Sequence, residues 1–446
     1  MNLQLEKPPA YYIITYGCQM NVRDSEIMSG LLEAMGYCAA ANPEDASVIL
    51  FNTCSVRHSA ENKVYGKLGE INVLKRHNPD MIVGFGGCMA QLPDVQARLK
   101  RMGVDVVFGT HNLHELPYLI EQTKQTRKPV FQVWEKEGAV EESLPSVRQA
   151  GISAFVNIMY GCNNFCSYCI VPYTRGRERS RRPADILGEV KNLAMQGYRE
   201  VTLLGQNVNS YGKGLDETID FADLLEMTSV VEGIDRIRFT TSHPKDMSQK
   251  LIKRIADNPM ICEHIHVPLQ SGSNRILQRM NRAYTREHYL ELTSRMRELI
   301  PGVAITSDLI VGFPGEQEED FADTLDMVQK VRFDAAFTFM YSVRRGTRAA
   351  DFSDQVSQET KKARLSELNL LQYRIAREIN QSLEGQVEEV LVEGPSKTDK
   401  SKLTSRTRTN RIVIISGSDD LVGKILPVKI TEGKTFSLFG DVLSKC

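Results

Sequence analysis

Three cysteines stand within eight residues, in the run Gly161-Cys162-Asn163-Asn164-Phe165-Cys166-Ser167-Tyr168-Cys169. Thiolates this close cannot pair off without leaving one over, so a shared metal centre is their natural use. The C-x3-C-x2-C spacing supplies three ligands, and the loop holds no fourth cysteine and no histidine. A structural zinc site takes four protein ligands, and most iron–sulfur clusters take four cysteines. Three thiolates on a four-iron cube leave one iron open to a substrate or cofactor. A zinc loop and plain reduced thiols are the competing uses.

A second set is spread over the first ninety residues. Cys18 lies in Tyr16-Gly17-Cys18-Gln19-Met20-Asn21, Cys54 in Asn52-Thr53-Cys54-Ser55, and Cys88 in Phe85-Gly86-Gly87-Cys88. Separations of 36 and 34 residues are too wide for a local metal loop. Each cysteine, however, follows a run that reads as a strand. In a parallel sheet the carboxyl ends of neighbouring strands share one edge, where ligands bind in such folds. The three thiols are therefore expected to converge at one rim and hold a second cluster with an open iron. Three buried, inert cysteines are the plainer reading, since free cysteine packs well in cores.

The elements that must position these groups come in three sets. Strands are expected at 11–15, 48–52, 81–85 and 104–108, with helices at 24–35 and 60–75 between them. That alternation predicts a doubly wound parallel sheet. An acidic, then polar stretch at 135–149 reads as a linker. Strands are expected again at 154–159, 200–204, 236–240, 264–267, 304–311 and 336–340. Six parallel strands predict a partial (β/α)6 barrel with its chemistry at the C-terminal mouth. A helical pattern over 358–383 leads to short strand-like runs at 387–392, 411–415, 421–430 and 436–442, which predict a small β-barrel. The borders are placed at 1–134, 135–149, 150–377 and 378–446, and 446 residues suit about three domains.

Polar or glycine-bearing motifs fall where the barrel strands should end. They are Leu204-Gly205-Gln206-Asn207, Thr240-Thr241-Ser242-His243-Pro244, Val267-Pro268-Leu269-Gln270-Ser271-Gly272-Ser273, and Ser307 through Glu316. Glycine lets a ligand approach the backbone, and the amide, hydroxyl and carboxylate groups suit ribose and amino-acid hydroxyls and amines. Cys262, His264 and His266 would share one strand face; core and hydrogen-bonded roles compete there with a metal site.

A net charge of −1 excludes a chain that is basic throughout, so nucleic-acid contact has to come from local patches. One patch is Arg175, Arg177, Arg179, Arg181 and Arg182, five arginines against a single glutamate, Glu178. Arginine forks match phosphate oxygens; a solvated surface face is the alternative. A second is the expected basic loop carrying Lys397, Lys402, Arg406, Arg408 and Arg411, on a barrel type that commonly binds oligonucleotides. The run 1–8 has no apolar core segment, and no apolar run approaches membrane-spanning length. A cytoplasmic, reducing location follows, where cysteines favour metal or catalysis over disulfides.

The cysteine loop, with Tyr168 just before its last cysteine, resembles that of the radical S-adenosylmethionine (SAM) enzymes. Over residues 11 to 443 the chain is similar to the methylthiotransferase family, with its N-terminal cysteine domain, radical-SAM barrel and C-terminal TRAM β-barrel. Gly17-Cys18-Gln19-Met20-Asn21, Asn52-Thr53-Cys54-Ser55-Val56-Arg57 and Leu204-Gly205-Gln206-Asn207-Val208-Asn209 most resemble the subgroup acting on isopentenyl-adenosine in tRNA. Ile158 through Cys162 and Val171 through Gly176 fit the same subgroup. The ribosomal-protein subgroup typically carries Pro-Lys in place of Gln19-Met20, and the threonylcarbamoyl-adenosine subgroups usually carry Lys-Val or a similar pair there.

The resemblance implies a reaction that inserts sulfur at C2 of N6-isopentenyl-adenosine next to the anticodon and caps it with methyl. It implies two [4Fe-4S] clusters, one on Cys18, Cys54 and Cys88 and one on Cys162, Cys166 and Cys169. SAM would serve both as methyl donor and, cleaved reductively, as radical source. The matching positions place SAM against the Tyr168 backbone, Gln206, Ser242, Gln270, Arg282, Ser307 and Val311; Arg282 would face its carboxylate unless it forms a structural salt bridge. The two basic patches would hold the anticodon arm, mostly through phosphates and shape. A low-potential electron donor such as flavodoxin or ferredoxin is implied as a partner, with the chain a monomer. Action on threonylcarbamoyl-adenosine or on a ribosomal protein is the alternative.

Overall fold

The computed structural model describes residues 8–55, 58–148 and 151–443, without the side chains of 58–60. The run 1–7, Val56, Arg57, Gln149, Ala150 and 444–446 lie outside the described residues, and with them the end of the Asn52–Arg57 motif, the last residue of the expected linker and the chain's C-terminal border. The chain forms two compact units. One comprises 1–149, 160–163 and 170–181; the other comprises 150–159, 164–169 and 182–446.

The first unit is built on a parallel sheet of β1 (Ala10–Thr15), β2 (Cys38–Ala39), β3 (Val48–Thr53), β4 (Ile82–Gly87), β5 (Val106–Phe108) and β6 (Val130–Gln132), in the order β2-β1-β3-β4-β5-β6. Both faces are covered. Ile49 and Phe51 pack with Val64, Leu68, Val95 and Leu99 from the helices His58–His77 and Pro93–Arg101. Val48 and Leu50, pointing the other way, pack with Met28, Leu32, Leu119 and Ile120 from the helices Gln19–Ala34 and Leu116–Thr126. A strand apolar on both sides is what a doubly wound sheet requires. The two edge strands, β2 and β6, are absent from the sequence reading; at two and three residues they are too short to show alternation.

The second unit opens with β7 (Ser153–Asn157). The short pair β8 (Met159–Tyr160) and β9 (Arg179–Ser180) comes next in the chain. The barrel continues with β10 (Glu200–Leu204), β11 (Arg236–Phe239), β12 (His264–His266), β13 (Ala304–Val311) and β14 (Ala335–Met340). These strands pair as β11-β10-β7 and β12-β13-β14, all parallel. The two ribbons meet where Ile237 pairs with Ile261, with Cys262 N–H donating to Ile237 O at 3.0 Å. Ile265, Ile305, Leu309 and Val311 join the main apolar cluster under the helices. His264, His266, Thr306 and Asp308 therefore take the opposite, inner face. His264 Nε2 and His266 Nδ1 both lie 3.0 Å from Thr306 Oγ1, so the two histidines of the Cys262–His266 run are held by hydrogen bonding.

Helix Gln358–Gln381 packs on β14, Gln372 Nε2 donating to Phe333 O at 2.9 Å, and delivers the chain to a closed barrel. Its strands are β15 (Val387–Pro395), β16 (Lys402–Thr407), β17 (Ile412–Ser416), β18 (Ile425–Gly433) and β19 (Leu438–Val442). The expected basic loop is corrected here. Lys402–Thr407 is a strand paired on both sides, with Leu403, Ser405 and Thr407 buried between more exposed Lys402, Thr404 and Arg406.

Arginines of β11 fasten this barrel to the larger one. Arg236 is 0% exposed and donates to Arg406 O at 2.8 Å and to Glu389 Oε1 at 2.8 Å. Arg238 donates to Thr407 O and Arg408 O, and to Glu200. In return Arg408 pairs with Glu263 and Arg411 with Asp334. Carbonyls that close the β16–β17 turn are thus satisfied by guanidinium groups rather than by water. Arg236→Ala removes the donor to the Arg406 and Glu389 carbonyls and opens a cavity, and should cost roughly 2–3 kcal/mol. Thermal unfolding of the variant checks this; an unchanged melting temperature would mean the junction carries no stability.

Candidate cluster and cofactor sites

In the first unit the three cysteines follow adjacent strands. Cys18 follows β1, Cys54 follows β3 and Cys88 follows β4, and the register aligns Thr15 with Asn52, Asn52 with Gly86, and Thr53 with Gly87. Polar side chains lock these ends together. Asn21 Oδ1 accepts from Cys18 N–H at 3.3 Å, and Asn21 Nδ2 donates to Asn52 Oδ1 at 3.0 Å. Asn52 Nδ2 donates to Asn21 O at 2.7 Å, and Thr53 Oγ1 donates to Gly86 O at 2.8 Å. Gly87 has φ +87°, and a Cβ there would lie 2.4 Å from Thr53 O, so only glycine permits this turn.

Cys54 and Cys88 are buried and Cys18 is exposed. Arg175 Nε donates to Cys88 Sγ at 3.3 Å, and its Nη2 to Asp24 Oδ2 at 2.7 Å. Burial pushes the Cys88 thiol up while the guanidinium beside it pulls down. Among the described residues no three Cys, His, Asp or Glu side chains close around a single ion. A four-iron cube is far larger than one ion and asks its ligands to stand farther apart. Three soft thiols on one sheet edge, one of them hydrogen-bonded to a cation, are a donor set suited to such a cluster.

Cys162 belongs to the first unit and Cys166 and Cys169 to the second. Cys162 N–H donates to Gly176 O at 3.1 Å. Its neighbour Gly161 has φ +77°, and a Cβ there would lie 1.9 Å from Arg177 O. In the second unit Cys169 N–H closes a turn on Cys166 O at 2.9 Å. Asn281 Nδ2 donates to Phe165 O at 2.9 Å, and Ser167 Oγ to Arg279 O at 2.8 Å, so the segment 278–282 holds this half of the loop. Arg282 Nη1 donates to Cys166 Sγ at 3.3 Å and Nη2 to Pro268 O at 3.1 Å. No carboxylate pairs with Arg282 among its described contacts; its Nε donates to Tyr284 OH at 2.8 Å.

The remaining cofactor candidates sit at strand ends. Gln206 follows β10, Ser242 follows β11 and Gln270 follows β12. Thr241 and Gln270 hold φ of +69° and +71°, costly for side chains other than glycine and typical of functional turns. Ser242 Oγ is buried without a hydrogen-bond partner among the described residues, an orphan that a ligand hydroxyl or amine would satisfy. The Tyr168 ring meets Phe313 edge-on at 6.4 Å. Ser307 and Val311 lie on β13, buried; Ser307 Oγ accepts from Leu269 N–H at 2.8 Å. These positions suit a ligand with the polar groups of SAM.

The arginine run divides. Arg175 and Arg181 are buried in ion pairs with Asp24 and Glu142, and Arg179 donates to Gly138 O, while Arg177 and Arg182 are exposed. In the small barrel Lys397 is exposed, Lys402 lies over the Phe439 ring, Arg406 pairs with Glu393 and Arg408 with Glu263. Sequence reasoning gave no role to Asp24, Tyr284 or the inner-face residue Phe337. Phe337 is 58% exposed with its ring 6.1 Å from that of His266. Alternation along β14 was the available signal.

Comparison with known proteins follows the same division. The profile of the Radical SAM superfamily matches residues 156–328, that of uncharacterized protein family UPF0004 matches 10–109, and that of the TRAM domain matches 381–443. The tRNA-2-methylthio-N(6)-dimethylallyladenosine synthase of Syntrophomonas wolfei is 67% identical over 99% of both chains. The chain belongs to the tRNA-2-methylthio-N(6)-dimethylallyladenosine synthase family. The synthase of Carboxydothermus hydrogenoformans is 54% identical over 97% of this chain and 98% of its own, and that of Moorella thermoacetica is 55% identical over 97% and 98%. Among solved structures, the radical SAM methyltransferase TsrM of Kitasatospora setae, with cobalamin and a [4Fe-4S] cluster bound, aligns with a TM-score of 0.58 at 15% identity, covering 77% of each chain. At that identity the likeness concerns the fold. No helix among the described residues is long and apolar enough to cross a membrane.

His243, inside this mouth, links site to stability. Burial, aided by the Arg282 charge, lowers its pKa to about 2. The unfolded imidazole titrates near its ordinary value, so below about pH 6.5 the unfolded chain binds the extra proton and the folded chain does not. Stability is therefore intact above that pH and falls by up to about 1.4 kcal/mol per unit below it. His243→Asn should flatten this slope in denaturant midpoints taken at two acidic pH values. Parallel slopes for parent and variant would refute it.

Proposed function

We propose that this chain adds a methylthio group to C2 of N6-isopentenyl-adenosine next to the anticodon of tRNA, using two SAM and two [4Fe-4S] clusters. The observation that carries the reading is the 67% identity, over 99% of both chains, to a relative named for this synthesis. Two separate three-cysteine sets support the count of two clusters. Cys18, Cys54 and Cys88 would hold one, and Cys162, Cys166 and Cys169 the other. When bound, the clusters and SAM supply the radical and the methylated sulfur that an unactivated aryl C–H bond requires, chemistry beyond side-chain acids and bases.

The chain's own residues bind and orient. Arg282, hydrogen-bonded to Cys166 and lacking a carboxylate, is suited to the carboxylate of SAM. Ser242 and Gln206 offer polar groups at neighbouring strand ends, Gln270 presents a left-handed turn, and Tyr168, Ser307 and Val311 shape the same mouth. The target base has to leave its stack to reach such a site. Arg177, Lys397 and Arg182, the last paired with Asp185 at the surface, are exposed, and with Lys402 they are the basic groups offered to phosphate. Arg175, Arg179, Arg181, Arg406 and Arg408 are engaged with protein partners and would act by shaping those surfaces. The working parts follow borders at 1–134, 150–377 and 378–446. A low-potential one-electron donor such as flavodoxin or ferredoxin would serve a monomer working in the cytoplasm.

Nucleoside mass spectrometry on tRNA from a strain lacking the gene, with and without this chain, tests the substrate. Isopentenyl-adenosine should accumulate without it and its 2-methylthio form return with it. A response in threonylcarbamoyl-adenosine instead would reassign the substrate, and no change in any tRNA nucleoside would point to a protein. Replacing Cys18, Cys54 and Cys88 together with alanine should halve the iron bound after anaerobic reconstitution. An unchanged count would remove the second cluster.

A further inference from the structure

Arg175 belongs to the run expected to meet phosphate, yet only 5% of it is exposed. Its backbone N–H donates to Val171 O at 2.8 Å, at the end of the short helix Val171–Thr174. Thr174 O accepts in turn from Thr110 Oγ1 at 2.5 Å, which pins the segment to the first unit. Asp24 lies on the helix that starts directly after Cys18, and it takes Nη2 of the guanidinium. The group so fixed points Nε at the Cys88 sulfur.

A buried ion pair gains little stability over a well-packed apolar pair, because both ions lose their water. What the pair aims at therefore matters more than the pair itself. Cluster potentials respond to nearby charge, to hydrogen bonds on the ligand sulfurs and to solvent exposure. Arg175 combines all three: a permanent charge, a donor on a ligand sulfur, and a dry setting.

We propose that Arg175 is a positioning residue for the auxiliary cluster, its charge and its hydrogen bond to Cys88 holding that cluster's reduction potential up, with Asp24 tempering the effect. This rests on the reading of Cys18, Cys54 and Cys88 as cluster ligands. Removing the positive charge disfavours the added electron, whereas removing the Asp24 charge favours it. The two substitutions therefore move the potential in opposite directions.

The test uses the full chain carrying Cys162→Ala, Cys166→Ala and Cys169→Ala, so that only the auxiliary cluster forms. Iron is counted after anaerobic reconstitution, and the midpoint is read by redox titration followed by electron paramagnetic resonance. In this background Arg175→Gln should shift the midpoint negative, lowering the ratio of reduced to oxidised cluster at fixed potential about tenfold, or about 59 mV for one electron. Asp24→Asn should shift it positive, and Arg175→Lys, which keeps the charge without the fork, should fall between parent and Arg175→Gln. Should Arg175→Gln not fold, Asp24→Asn and Arg175→Lys carry the same test. Unmoved midpoints, or shifts of the same sign at Arg175 and Asp24, overturn the inference and leave the cluster standing. A parent that binds no iron overturns the cluster reading, and the inference with it.

Discussion

Parallel pairing sends every strand's carboxyl end to the same edge of its sheet, and both units place their candidate site residues by that constraint. In the first unit it aligns the ends of β1, β3 and β4, so residues 18, 54 and 88, remote in sequence, follow neighbouring strands. Because both faces of the sheet are buried, polarity alone cannot fix the register. Shape does so instead. A Cβ on Gly84 would meet Leu50 Cδ2 at 2.4 Å, and one on Gly86 would meet the Phe108 ring at 2.5 Å. Each glycine leaves the hole that a neighbouring side chain fills, and a shift of one residue would put a side chain where there is no room for it.

The barrel of the second unit separates stability from chemistry along its strands, as such barrels do. At the starts of β10 and β11 lie charges with partners: Glu200 with Arg238, and Arg236 with the carbonyls of the small barrel. At the other ends lie the backbone strain of Thr241 and Gln270 and the orphan hydroxyl of Ser242. Left-handed conformations at residues other than glycine cost of order 1–3 kcal/mol each, and they persist only where surrounding structure over-determines them. Here the determinants are backbone bonds: Ser242 N–H to His266 O at 3.1 Å and Gln270 N–H to Asp308 O at 2.8 Å. The satisfied end holds the strands in place while the strained end carries the candidate ligand groups.

Legibility in the sequence followed the length and regularity of each element. The eight-residue β13 and five-residue β10 are long enough to show their apolar and β-branched residues, and their limits match the sequence reading. The two-residue β2 and three-residue β6 take their place from pairing to the strand beside them, information that no local window contains. The strand Lys402–Thr407 was read as a loop because its buried face is Leu403, Ser405 and Thr407. Two of the three are hydroxyl residues, satisfied inside the barrel by partners such as Val413 O. The cysteines were conspicuous by type and spacing. Asp24 was not, since an acidic residue on a helix is ordinary until its partner is known.

The basic residues show where composition stops carrying information. A guanidinium is equally suited to a phosphate, a carboxylate, a carbonyl or a thiolate, so charge density in a segment cannot say which it meets. The acceptors that decide lie far away in sequence: Asp24 and Cys88 for Arg175, Glu142 for Arg181, and Glu263 for Arg408. Desolvation then sorts the run. An arginine that finds an acceptor in the protein can be buried, and one that does not must keep its water. Arg175 and Arg181 take the first course, while Arg182 stays at the surface, where Asp185 accepts from it at 2.7 Å. One basic segment therefore divides between buried members, of which Arg175 joins Cys88 to the helix after Cys18, and members that stay at the surface.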